Sequence, residues 1–386
     1  MPTSHAAPRV HIVCGGTGGH FFPGVAVARE LQRAGVIVTL LISEKRVDQQ
    51  AAQSQGDLEI CELPAVSWQT RAPWRFLNGL IRSLRKVRTL QLHQRPDAVL
   101  AMGGFTSVAP VLMARAAGVP VFLHESNAIP GRANRWLAPL AHQVFVGFES
   151  ARHRFLHTHV EVTGTPVRDA FFTATCEASR VGLGLDAGRP VLLIMGGSQG
   201  ARAINHRALA VLPALLKAWP SLQFLHLCGG GDGEEARVRA AYEAQGATAR
   251  VHEFHADMPL VLAAADVAVG RAGASSLAEL AAARLPSVLI ALPTAADDHQ
   301  RYNAREFERR GAARMVEQSA GPEELAQALC QLLANRAPVR AALAGMAAPR
   351  AAAQVAAHIL SCVRPQRSAN APQTWNDPTL WSPITA

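Results

Sequence analysis

Short apolar runs alternate with glycine-rich turns and helical patterns along most of the chain. Arg9–Cys14 (RVHIVC) predicts a strand, Gly15-Gly16-Thr17-Gly18-Gly19-His20 a loop, and Val25–Ala34 a helix that Gly35 ends. Val36–Ile42 (VIVTLLI) is β-branched and does not alternate, which is how a parallel strand covered on both faces reads. Asp97–Met102 and Val119–Leu123 continue the series. Each runs into loop chemistry: Gly103-Gly104-Phe105-Thr106-Ser107, then His124-Glu125-Ser126-Asn127. The scheme restarts with a strand at Pro190–Met195, a loop at Gly196-Gly197-Ser198-Gln199-Gly200-Ala201, and a helix over Ala203–Ala218 with a kink expected at Pro213. Further strands are predicted at Gln223–Leu227, Asp266–Val269 and Ser287–Leu292.

The two glycine loops, beginning at Gly15 and Gly196, lie one Rossmann-like domain length apart. The predicted fold is α/β, two Rossmann-like doubly wound domains facing an interdomain cleft. Residues 1–164 form the first, and residues 165–363, closed by Ala-rich helix over Ala337–Val363, form the second. The join falls near Gly164-Thr165-Pro166, where Gly and Pro interrupt the pattern. Ligands of open α/β sheets bind at the carboxyl ends of the strands. Every loop named above lies at such an end, so together they are expected to line one cleft.

At 49% hydrophobic and 17% charged, the 386 residues carry enough apolar surface for two cores, which excludes a mostly disordered chain. Residues 364–386 differ: Pro365, Pro372, Pro378 and Pro383 stand among polar residues, and a disordered or loosely docked tail is expected. Cysteines at 14, 61, 176, 228, 330 and 362 form no C-x-x-C pair, so reduced thiols in a cytosolic protein are expected. No leader is expected before Arg9. The longest runs without Asp, Glu, Lys or Arg, Val10–Ala28 and Ala98–Ala114, are broken by Gly and Pro and make poor spanning helices.

Gly15–His20 suits an anion, because glycines admit a ligand close to the backbone and a helix start offers free N–H groups. It is not G-x-G-x-x-G, and no acidic residue closes the second strand in the dinucleotide-binding manner, Ser43-Glu44 coming nearest. His20 adds a titratable imidazole at the loop mouth, placed to act as a general base. Gly196–Ala201 is the second anion site, where Ser198 offers a hydroxyl; the alternative is a merely tight turn. Arg168 is a candidate for a departing diphosphate. Glu279, one turn into the helix that follows Arg271-Ala272-Gly273, has a carboxylate able to accept both hydrogen bonds of a ribose diol. In Asp297-Asp298-His299-Gln300-Arg301-Tyr302-Asn303, Gln300 is a candidate for sugar hydroxyls. The paired Asp suggests a metal but lacks a D-x-D spacing, so no essential metal is expected.

Taken in order, Gly15–His20, Gly103–Ser107, the HESN segment, Gly196–Ala201, Ala272–Glu279 and Asp298–Ala304 resemble the MurG family of peptidoglycan N-acetylglucosaminyltransferases, in glycosyltransferase family 28, from about Val10 to Ile359. The resemblance implies the GT-B fold and inverting transfer of GlcNAc from UDP-GlcNAc to the 4-hydroxyl of MurNAc in undecaprenyl-diphospho-MurNAc-pentapeptide (lipid I), giving lipid II, without a cofactor. It implies donor contacts at Thr17, Gly18, Gly19, Asn127, Arg168, Ser198 and the stretch Ala274, Ser275, Ser276, Leu277, Ala278 and Glu279, with Glu279 on the ribose. Gln300 would read the GlcNAc ring, the backbone at His255 would hold uracil, and His20 falls at the family's candidate base. HESN stands where HEQN is commoner, and Gly270-Arg271-Ala272-Gly273 where S-R-S/A-G is usual. Another lipid acceptor such as diacylglycerol, a UDP-GlcNAc epimerase and a non-catalytic nucleotide-sugar binder are the alternatives.

Between Trp68 and Arg95 stand Arg71, Arg75, Arg82, Arg85, Lys86, Arg88 and Arg95 with no acid, in a chain of net charge +9. Trp68, Trp74, Phe76, Leu77, Leu80, Ile81 and Leu84 interleave with them. A basic amphipathic stretch with Trp reads as lying on an anionic membrane surface; the family resemblance implies that this is the cytoplasmic face of the inner membrane, bound peripherally. The alternatives are a solvated helix face and a nucleic-acid patch, and no nucleic-acid-binding module is recognisable.

Overall fold

The computed structural model describes residues 7–15, 18–44, 49, 56–64, 73–156, 159–197, 202–231 and 233–363. The chain builds two wholly parallel sheets. The first orders β1 (Arg9–Val13), β2 (Ile37–Ser43), β3 (Glu59–Leu63), β4 (Ala98–Ala101), β5 (Val121–Glu125), β6 (Gln143–Val146) and β7 (Val160–Val162) as β3-β2-β1-β4-β5-β6-β7. The second orders β8 (Val191–Met195), β9 (Gln223–Leu227), β10 (Thr248–His252), β11 (Val267–Gly270), β12 (Ser287–Leu289) and β13 (Arg314–Met315) as β10-β9-β8-β11-β12-β13. In each sheet the order reverses beside the founding strand, at β1–β4 and at β8–β11, and such a reversal opens a crevice at the carboxyl ends. Register is direct: Ile12 lies opposite Leu40 and Leu100, and Leu193 opposite Leu225 and Ala268.

The central strands carry no alternation because both faces are covered. From β1 and β2, Ile12, Leu40 and Ile42 are buried with Phe21, Val25, Ala28 and Leu31 of the helix Gly18–Arg33. Their neighbours Val13 and Leu41 face the other way, into a cluster with Val87, Val111 and Leu123. The helix begins at Gly18, seven residues before the expected Val25, with Pro23 inside it. The helix of the second half runs Arg202–Ala218 through Pro213.

The expected second domain is corrected at its end. Ala337–Val363 is two helices, Ala337–Met346 and Ala351–Val363. The last one crosses back to the first half, where Ala352, Val355, Ala356 and Ile359 are buried with Val10, Ile12 and Leu31. Those four positions form one i, i+3, i+4, i+7 stripe, small enough to seat closely on Gly18–Arg33. The chain therefore passes between the halves twice, and the crossings touch: Gly164 has φ +80°, and a β-carbon there would collide with that of Ala348. Residues 364–386 lie outside the described residues.

Candidate active site

After β1 the backbone turns so tightly that a β-carbon on Gly15 would strike the backbone at Ile42–Ser43. Gly18–Arg33 then starts, and the His20 ring comes to rest over the loop after β4. Gly103 and Gly104 take φ +112° and +77°, and a β-carbon on Gly103 would sit 3.1 Å from His20 Nε2. Only glycine gives the imidazole that seat.

The loop after β5 is organised by Glu125, which is 3% exposed. One carboxylate oxygen accepts from Asn127 N and Nδ2, both at 2.9 Å; the other accepts from Gly131 N at 2.8 Å and Asn134 Nδ2 at 2.9 Å. Asn127 is thereby held in one rotamer. His124 Nε2 donates to the Gly164 carbonyl at 3.1 Å, and Ser126 Oγ lies 3.3 Å from Nδ1. Burial holds the His124 pKa down to about 4, and nearby His20 adds to that lowering, so His124 is a neutral structural imidazole. Ser126 turns inward to His124, while Asn127 is held by Glu125.

Arg168 follows the crossing at Gly164. Its guanidinium stacks over Phe22 at 4.9 Å and Phe171 at 5.2 Å, and its buried Nε has no hydrogen-bond partner in the structure. A donor left unpaired in a desolvated seat is costly and suits an anion. Glu279 lies in the helix Ala274–Ala282 beside Arg168. Burial raises its carboxyl to about 7, and Arg168 offsets part of the rise. Phe22, Pro23, Pro166, Val167, Arg168, Ser275 and Glu279 line one recess, so the His20 helix, the crossing and the Glu279 helix meet.

Ser275, Asn303 and Asp297 of the second half reach across to the first. Ser275 Oγ donates to Gly19 O at 2.6 Å. Asn303, fully buried, donates to Asn127 Oδ1 and Ala272 O, both at 3.1 Å, and accepts from Ala128 N at 2.9 Å. At the rim Asp297 pairs with Arg132 at 3.0 Å and Arg135 at 3.2 Å. Asp297 and Asp298 hold φ of 51° and 53°, so the acidic pair marks a strained turn braced across the cleft.

Gly18, Gly19, His20, Asn127, Arg168, Ala274, Ser275 and Glu279 therefore belong to segments that converge. Ser276 and Ala278 are half-buried on the same helix. The Leu277 side chain is not part of the site: it is fully buried in the core of the second half. Gln300 Oε1 accepts from Leu292 N at 3.0 Å, which fixes the side chain at the end of β12. His255 follows the carboxyl end of the edge strand β10, edge-on to His252 at 5.9 Å with Asp257 N donating to its Nδ1 at 3.2 Å. Thr17 and Ser198 lie outside the described residues. Sequence reasoning missed Glu125 and Asn303 as organisers, although both stand inside motifs it singled out.

The helix Pro73–His93 turns Leu80, Leu84 and Leu90 toward the core cluster around Val87, which removes Leu80 from the expected membrane-facing set. Trp74, Leu77 and Ile81 are exposed, at 66%, 56% and 40%, beside exposed Arg82, Arg85, Lys86 and Arg88. Phe76 instead packs edge-on against Phe105 at 5.5 Å, and Phe105 against Trp136 at 6.1 Å, next to the glycines under His20. Trp68, Arg71 and the rest of 65–72 lie outside the described residues. Among the described residues no helix is long and apolar enough to cross a membrane.

Comparison with known proteins agrees with this geometry. The glycosyltransferase family 28 N-terminal domain matches residues 10–146, and the C-terminal domain of that family matches residues 191–358. A UDP-N-acetylglucosamine--N-acetylmuramyl-(pentapeptide) pyrophosphoryl-undecaprenol N-acetylglucosamine transferase of Synechococcus elongatus is 38% identical, over 92% of this chain and 96% of its own. The enzyme of the same name from Acidithiobacillus ferrooxidans is also 38% identical, over 92% and 98%. The crystal structure of Acinetobacter baumannii MurG superposes with TM-score 0.70 at 29% identity, covering 92% of this chain and all of that one. A UDP-GlcNAc 2-epimerase of Neisseria meningitidis superposes with TM-score 0.65 at 17% identity, over 92% of this chain and all of that one, which is a likeness of fold.

Proposed function

The chain belongs to glycosyltransferase family 28, and from that membership we propose that it carries N-acetylglucosamine from UDP-N-acetylglucosamine to the MurNAc 4-hydroxyl of undecaprenyl-diphospho-MurNAc-pentapeptide, turning lipid I into lipid II. The observation that carries this reading is the meeting of His20's helix start with the Arg168–Glu279 recess across one cleft.

His20 is the base in this reading. It takes the proton of the acceptor hydroxyl as that oxygen attacks the anomeric carbon from the face opposite UDP. By analogy with glycoside hydrolysis, the transition state has oxocarbenium character. Negative charge then grows on the departing diphosphate. Arg168, clamped between Phe22 and Phe171 with an unpaired Nε, is preorganised to meet it. Glu279 accepts from the ribose diol, Asn127 and Gln300 contact the donor sugar side, and His255 holds uracil through its backbone. Asp297 is engaged by Arg132 and Arg135, so the cation at the diphosphate is Arg168 and turnover is expected to persist in excess EDTA. The helix Pro73–His93 lays Trp74, Leu77 and Ile81 on the anionic cytoplasmic surface of the inner membrane, where the acceptor's polyprenyl tail stays.

The test is incubation of the purified protein with UDP-GlcNAc and a lipid I analogue. Formation of the disaccharide lipid with release of UDP is expected. Free epimerised GlcNAc, or intact UDP-GlcNAc binding with no lipid product, overturns the reading.

A further inference from the structure

Pro23 is the sixth residue of Gly18–Arg33. In an α-helix the N–H of residue 23 would bond to the carbonyl of residue 19, but proline has no N–H. The Gly19 carbonyl is thereby released from the helix ladder, and it belongs to the residue immediately before His20. It does not go unpaired: Ser275 Oγ, from the other half of the molecule, donates to it at 2.6 Å. Ser275 is the second residue of Ala274–Ala282, the helix that carries Glu279 one turn later. A hydroxyl has one proton to give, and here it is given across the cleft.

We propose that Ser275 is a positioning residue for His20, using the carbonyl that Pro23 frees to set the base at a fixed distance from the nucleotide-side helix. The proposal rests on the transferase reading for its consequence and on the hydrogen bond for its geometry. It assigns the Ser275 hydroxyl to domain registration, leaving any contact with donor to the helix backbone. Pro23 and Ser275 then act as a pair: an alanine N–H at 23 would compete with the hydroxyl for Gly19 O from within the helix and weaken the registration that the hydroxyl supplies.

The experiment compares wild type, Ser275→Ala, Ser275→Thr, Pro23→Ala and the P23A/S275A double variant. Each is assayed for kcat and KM with UDP-GlcNAc and a lipid I analogue, for UDP affinity by calorimetry, and for melting. Loss of one such hydrogen bond is expected to lower kcat about 2- to 10-fold with UDP affinity within about two-fold of wild type. S275T should recover most of the loss. In the P23A background the Ser275→Ala change should cost less in kcat and in Tm than it does in wild type. Weakened UDP binding at unchanged kcat would assign the hydroxyl to the nucleotide and overturn the proposal. Equal losses in both backgrounds, or no loss in either, would also overturn it. If wild type makes no lipid product, the transferase reading falls, and the pairing of Pro23 with Ser275 is still decided by the melting arm.

Discussion

Asn303 donates its side-chain amide to Asn127 Oδ1 at 3.1 Å from the opposite half of the molecule. The same amide reaches Ala272 O, two residues before Ala274–Ala282, and its oxygen receives Ala128 N. All the hydrogen-bonding capacity used by this fully buried side chain goes to fixing a first-half loop against a second-half helix start. Glu125 holds Asn127 from the other side. Asn127 is thus gripped by its own loop and by the facing domain at once, which couples its position to cleft closure.

Replacing Asn303 with Asp keeps the acceptor for Ala128 N but turns a carboxylate oxygen toward two other acceptors. A buried unsatisfied group costs about 1–3 kcal/mol, more when charged. Asn303→Asp is therefore expected to lower kcat/KM at least ten-fold and to reduce the melting temperature. Asn303→Ala should give the smaller loss of the two. Steady-state kinetics and differential scanning fluorimetry check the ranking. Equal activity of the two variants would show that the facing acceptors Asn127 and Ala272 do not matter.

His20 sits over two glycines whose backbone no other residue adopts comfortably, so its ring has one seat. A general base contributes about 10²–10⁴-fold. His20→Ala is expected to lower turnover by about that factor while UDP affinity, measured by calorimetry, hardly changes. Near-normal turnover would remove His20 from the base role. Gly103→Ala, which brings a methyl to the imidazole and strains the backbone, should reproduce part of the defect with His20 still present.

Most central strands and the loops at their carboxyl ends were legible because those strands are buried on both faces, leaving unbroken apolar runs. Strands β3 (EICEL) and β7 (VEV) escaped because they lie at sheet edges and mix Glu with apolar residues. The start at Gly18 was hidden by glycines and Pro23, poor helix formers that tertiary contacts override. Sequence spacing placed His20, Arg168 and Glu279 at the ends of their elements. It had no means of showing that Leu277 and Leu80 turn inward or that Ala351–Val363 returns to the first half, since these depend on which neighbour each helix face meets.

Glu279 carries a pKa raised to about 7 from an ordinary 4.5, because its surroundings disfavour the charged form. The sign follows from proton counting. Below about 4.5 neither state is ionised and the group contributes nothing. Between 4.5 and 7 the unfolded chain ionises first, so stability falls as pH rises. Above 7 the full penalty, about 3 kcal/mol at most, is present. Glu279→Gln should melt several degrees above wild type at pH 8 and close to it at pH 5. The same change should weaken UDP binding about 10- to 100-fold by removing a charged acceptor. An unliganded melting difference that ignores pH would contradict the buried-carboxylate account.

The outward face of Pro73–His93 combines apolar and cationic side chains in a way its inward face does not. Leu80, Leu84 and Val87 already satisfy the need for core packing, so Trp74, Leu77 and Ile81 have no internal task. Arg82, Arg85 and Lys86 surround them, all exposed. Each such charge near an anionic bilayer is worth about 1 kcal/mol, so three together shift partitioning by about two orders of magnitude. Co-sedimentation with vesicles is expected to rise with anionic lipid content, to fall with added salt, and to be lost on reversing Arg82, Arg85 and Lys86 to Glu. Trp74→Ala with Leu77→Ala should weaken binding at every lipid composition, because the apolar contribution does not depend on charge. Throughout, turnover on a soluble acceptor should persist, since none of the substituted side chains lines the Arg168–Glu279 recess. Binding that is indifferent to anionic lipid, or that survives the triple reversal, would leave the outward face as ordinary solvated surface.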